Sequence, residues 1–103
     1  MNASITEYAK NNIKEIHGLS ARYNGYGRDH TEVLLGLVGK HACEINGLYR
    51  NGDDHFSVEV GDLLVLCYEL LLEQKKDPDE IMEICYSRYK RKITELMNAR
   101  ETA

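Results

Sequence analysis

Apolar residues recur along this chain at intervals of three and four, and almost nowhere in the strict alternation of a strand. Ile5, Tyr8, Ala9, Ile13, Ile16 and Leu19 share one helical face, opened by Ser4-Ile-Thr-Glu7, which has the form of a capping box. The glycines and asparagine of Arg22-Tyr-Asn-Gly-Tyr-Gly-Arg28 break that first helix and predict a loop. A second helix starts near Asp29 to Thr31 and turns Leu34, Leu37, Val38, His41, Ile45 and Leu48 inward. Asn51-Gly52 stops it with residues that tolerate the left-handed conformation. The third helix runs from near Ser57 to about Lys75. The fourth opens at Asp77-Pro78-Asp79-Glu80, with Asp77 suited to the N-cap, Pro78 to the first helical position and Glu80 to the box position. Ile81, Ile84, Cys85, Tyr89, Ile93 and Leu96 predict its buried stripe, and the polar end after Leu96 predicts fraying. With no repeat and no linker, residues 1–103 read as one all-α bundle of four main helices.

The third helix changes the expected assembly. Leu63-Leu-Val-Leu-Cys-Tyr-Glu-Leu-Leu-Leu72 is apolar on nearly every side, and such a helix must be covered all round. Three neighbours in a chain of 103 residues are short of that task. A homodimer or homotetramer is expected.

Composition narrows the compartment and the partners. The formal net charge of −4 gives no global basic field for nucleic acid or an anionic membrane. Three cysteines without CxxC spacing (Cys43, Cys67, Cys85) read as reduced, buried residues. The polar start after Met1 predicts no signal peptide, and the longest apolar run falls far below the roughly 20 residues of a membrane span. A soluble cytoplasmic protein is the expectation.

Candidate chemistry centres on Glu59-Val-Gly-Asp62. Residues three apart on a helix share a face, so Glu59 and Asp62 present two carboxylates side by side. Facing a second helix with oxygen ligands, they would suit a hard divalent cation such as Mg²⁺ or Mn²⁺. The preceding cluster, Lys40-His41-Ala-Cys-Glu44, offers one acid beside a lysine and a histidine. Plainer readings stand beside each assignment. Glu59 and Asp62 also read as a solvated stripe, Glu44 as a partner for His41 or Lys40, and His41 as a core histidine bonded to a carboxylate. Arg88, Arg91 and Lys92 form a basic patch, although Glu95 is placed to pair with Arg91. Tyr23, Tyr26 and Arg28 have the chemistry to stack on a base, or simply join two helices. His17, His30 and His55 do not cluster in sequence.

Leu35-Gly-Leu-Val-Gly-Lys-His-Ala-Cys-Glu-Ile45, a spacer, Val58-Glu-Val-Gly-Asp-Leu-Leu64 and then Asp77-Pro-Asp-Glu-Ile81 resemble the MazG-type all-α nucleoside triphosphate pyrophosphohydrolases over about residues 31–92. The family pattern is Glu-Glu-x-x-Glu, a spacer, then Glu-x-x-Asp. The resemblance implies a MazG-like bundle completed by oligomerisation. Its implied reaction is attack of a metal-activated water on the α-phosphorus of a (deoxy)nucleoside triphosphate, giving a monophosphate and pyrophosphate. It further implies Glu44, Glu59 and Asp62 as metal ligands with Mg²⁺ or Mn²⁺, and Glu44 or Glu59 as base. Lys40, Arg88 and Lys92 would contact phosphates. The departures are Lys40 and His41 at the first two acidic positions and Cys85 where relatives often carry Asn. His41 takes a position the family uses for metal binding, where its imidazole would ligate Mn²⁺ better than Mg²⁺. Two alternatives remain open: a catalytically degenerate relative that binds nucleotide or a protein partner, and a helical oligomerisation module.

Overall fold

A computed structural model describes residues 6–25 and 27–102, and every element in it is a helix. The four are α1 (Glu7–Asn24), α2 (Arg28–Arg50), α3 (His55–Glu73) and α4 (Pro78–Thr102). Ser4 and Ile5 of the expected capping box, and Tyr26 of the loop, lie outside the described residues. The cap itself is made by Thr6, whose hydroxyl oxygen accepts from the Ala9 amide at 3.2 Å.

Local chemistry accounts for the helix ends. Arg22, Tyr23 and Asn24 stay helical, so the predicted loop contracts to Gly25 and Gly27 around position 26. Those two glycines have φ of 87° and 73°, values at which a side chain would be strained. Asn51 closes α2 and Gly52 follows it at φ 66°. At the start of α4, the Asp79 amide donates to Asp77 Oδ1 at 3.0 Å, and Pro78 takes the first helical position. Fraying after Leu96 was expected on polarity alone, but α4 continues to Thr102.

α2 and α3 pack along each other, and α1 lies against both. The core is small and mixed. Ile13, Ala21, Leu34, Leu66 and Tyr68 are buried, and so are Lys10, His30, Glu59 and Glu69. The inner face of α2 follows the expected stripe from Leu34 to Leu48. α1 is rotated from its expected face. Tyr8, Ile16 and Leu19 point to solvent while Lys10, Ile13, His17, Ser20 and Ala21 turn inward. Polar contacts to α3 and α4, rather than apolar area, set that rotation.

α4 departs most from expectation. Its backbone approaches only α3, and its first turn is tied to α1 by Lys10 Nζ donating to Asp79 Oδ2 at 2.6 Å. Beyond Cys85 every described residue is exposed, including Tyr89, Ile93 and Leu96 of the stripe expected to be buried, and Ile84 before them. The helix has simply outrun its neighbours. The molecule measures 54 × 36 × 26 Å with a radius of gyration of 16.5 Å, against about 13 Å for a compact domain of this length. Cys43 and Cys67 are exposed and Cys85 partly so, which corrects the expectation of buried thiols: they lie on helix faces that no other helix covers. No helix among the described residues is long and apolar enough to cross a membrane.

Candidate functional site

The seam between α2 and α3 carries the acidic chemistry. The short Asn51–Asp54 connection sets the two helices side by side, and Asp53 Oδ1 accepts from the His55 amide at 2.9 Å to start α3. His41 reaches from the inner face of α2. Glu59, one turn into α3, is buried and meets it: Glu59 Oε1 pairs with His41 Nδ1. His55 Nε2 stands 3.6 Å from the other carboxylate oxygen. Asp62, one turn beyond Glu59, is exposed at the mouth of the seam. One donor atom from each of His41, Glu59 and Asp62 falls within 4.8 Å of the others.

Burial is what gives this arrangement its chemical interest. A carboxylate removed from water needs a cation or hydrogen-bond donors. Glu59 finds two imidazoles, His41 bonded to one oxygen and His55 3.6 Å from the other. Two carboxylates and one imidazole are a donor set for Mn²⁺ or a later first-row ion more than for Mg²⁺, which prefers oxygen alone. The residues present therefore fit a divalent cation, with the preference shifted by His41.

The other candidates lie apart from this triplet. Glu44, expected to face inward or toward the seam, is exposed on α2, and so is Lys40. Neither forms an ion pair among the described residues. Arg88 and Lys92 are exposed on α4 beside Tyr89, Arg91 and Glu95, where they border a shallow hollow. All five come from one helix, so the hollow is the outer face of α4 and not a cleft between elements. Tyr23 is exposed, and Arg28 donates to Glu32 at 2.9 Å instead of facing the triplet.

A second polar cluster went unpredicted. His17 and Ser20 of α1, His30 of α2, and Glu69 and Glu73 of α3 meet inside the bundle. Its one sequence signal is Glu69 and Glu73, four apart on a helix otherwise apolar around them: acids in such a setting require partners. Which histidines supply those partners depends on how α1 turns back against α2, and that is not a property of spacing.

Compared with known protein families, curated proteins and solved structures, the chain matches none of them.

Proposed function

We propose that this chain is a MazG-like nucleotide pyrophosphohydrolase with an altered metal site, splitting a (deoxy)nucleoside triphosphate into a monophosphate and pyrophosphate. The observation that carries the reading is the convergence of His41, Glu59 and Asp62 at the α2–α3 seam, on segments that resemble the family motif. In this reading the three residues hold one divalent cation, Mn²⁺ in preference to Mg²⁺, with Glu44 recruited from the adjoining turn of α2. When bound, the ion neutralises phosphate charge and makes a water more acidic. Glu44 or Glu59 accepts the proton in this reading, as the resemblance implies, and the Glu59 carboxylate lies beside His41 and His55. Asp62 orients the ion at the solvent side. The resemblance gives the phosphate contacts to Lys40 of α2 and to Arg88 and Lys92 of α4, which stand apart from the triplet within one chain.

The assembly in this reading is a homo-oligomer. An isolated helix in water is marginally stable, and the distal part of α4 is in effect isolated within one chain. A second copy of the chain covers Tyr89, Ile93, Leu96 and Met97, exposed residues at helical spacing on one side of α4.

Replacing Glu59 or Asp62 by Ala is expected to abolish pyrophosphate release while far-ultraviolet circular dichroism stays unchanged. Turnover retained in both variants would refute the site.

One observation favours a second reading, in which the chain binds nucleotide without turnover. The His41–Glu59 pair occupies the carboxylate an ion would need. Calorimetry with Mn²⁺ and Mg²⁺ separates the two, because the non-catalytic version has no metal affinity near millimolar, whereas bound nucleotide still raises the melting temperature.

A further inference from the structure

The cluster inside α1, α2 and α3 has a hydrogen-bond pattern that leaves one place for a cation. Ser20 Oγ lies 2.7 Å from Glu69 Oε1 and 2.9 Å from His30 Nε2. A hydroxyl has one proton, and an ionised carboxylate only accepts. The His17 carbonyl oxygen, 3.2 Å from Ser20 Oγ, is an acceptor too; whichever of the two takes the Ser20 proton, His30 must donate from Nε2 to Ser20. That fixes the His30 tautomer and leaves the lone pair of the neutral ring on Nδ1. His17 Nδ1 is buried without a hydrogen-bond partner, and Glu69 Oε1 stands 3.6 Å from it. A proton on Nδ1 faces that carboxylate and leaves the lone pair on Nε2.

Both lone pairs then converge on Glu73. His30 Nδ1 is 2.9 Å and His17 Nε2 is 3.8 Å from Glu73 Oε1. Three acceptor atoms aimed at one another repel unless something positive sits among them. A tetrahedral ion with bonds of about 2.0–2.1 Å to nitrogen and oxygen sets its ligands roughly 3.4 Å apart, and the two observed edges straddle that value. Histidines that bind metal commonly give their other ring proton to a carboxylate or a polar oxygen, as Glu69 and Ser20 are placed to receive here.

We infer that His17, His30 and Glu73 form a second metal site, for a borderline first-row dication of which Zn²⁺ is the best fit, with a water in the fourth position. His30 is fully buried, so the ion acts as an internal clamp joining three helices. A chain with so few buried apolar side chains gains most from such a clamp. The site shares no residue with the α2–α3 triplet and stands or falls independently of the proposed reaction. The competing occupant is a proton on each imidazole, which would satisfy the same contacts without metal.

The test is titration of metal-stripped full-length protein with Co²⁺, read by visible ligand-field absorption, followed by displacement with Zn²⁺. It is run on Asp62→Asn protein so that the α2–α3 triplet is weakened. One tight equivalent with a tetrahedral spectrum is expected, and Zn²⁺ should bleach it and raise the melting temperature. His17→Gln, at a partly exposed position that tolerates change, should lose the spectrum while remaining helical. Glu69→Gln should weaken affinity by about 10–100-fold. No Co²⁺ or Zn²⁺ binding by the folded protein below millimolar would overturn the inference. So would a spectrum that survives His17→Gln and Glu73→Gln together.

Discussion

His41 is the residue on which the functional reading turns. In the proposed reading it stands where a MazG-like motif would have a carboxylate, and it is bonded to Glu59, which is buried. The meeting of His41 with Glu59 and Asp62 was legible in sequence, because two amphipathic helices joined by a tight turn must bring their inner faces together. The outward position of Glu44 was not, because its three-residue step from His41 falls about 60° short of a full turn and carries it past the edge of the seam. At the same scale, Lys10 and Tyr68 predict how the fold responds to alkali. The hydrogen bond from Lys10 to Asp79 holds the lysine above its ordinary value of 10.5, and burial pushes the Tyr68 hydroxyl above 10.0. Each group keeps its proton more firmly folded than unfolded. The stability each contributes is therefore complete below its unfolded pKa and is lost as pH rises through the higher folded value. Urea midpoints should fall from about pH 10 upward, and Lys10→Met should make that fall shallower. A wild-type midpoint that stays flat to pH 11, well above about 10.4 for a free lysine, would contradict the assignment.

The helices obey local rules more closely than they obey the hydrophobic pattern. Caps and glycines were readable, since Asp77 acts through its side chain on an amide two residues on, and Pro78 and Gly52 through their own backbone. The buried face of α1 was not, because Lys10, His17 and Ser20 turn inward to meet charged partners that lie far along the chain. Apolar periodicity sees Ile16 and Leu19 but cannot see Glu69 or Asp79. α4 shows the limit from the other side: a good helical stripe predicts a helix, yet burial requires a neighbour, and none among the described residues reaches past Cys85. Since α4 is held only by its first turns, its N-cap carries unusual weight. Asp77→Ala should cost about 1 kcal/mol in chemical denaturation. A variant as stable as the parent would show that α4 is held by something other than its cap and first turns.

The whole molecule is an elongated chain of helices with a short polar-studded core and an apolar arm. The apolar stretch of α3 raises the expectation of an oligomer, but α4 leaves the larger apolar surface uncovered, with Val58 and Leu64 of α3 adding to it. If a second copy covers the arm, sedimentation should find a dimer or tetramer, and Ile93→Glu with Leu96→Glu should yield monomer. A monomeric wild-type protein at micromolar concentration would contradict this. The central claim is hydrolysis of a nucleotide at the α2–α3 seam, and its most direct test is pyrophosphate release by the wild-type protein. A panel of canonical and modified nucleoside triphosphates would be assayed with Mn²⁺ and separately with Mg²⁺. The expected result is pyrophosphate and monophosphate in equal amounts, released faster with Mn²⁺ if His41 ligates the ion as proposed. No release from any nucleotide with either ion, by folded and oligomeric protein, would contradict it.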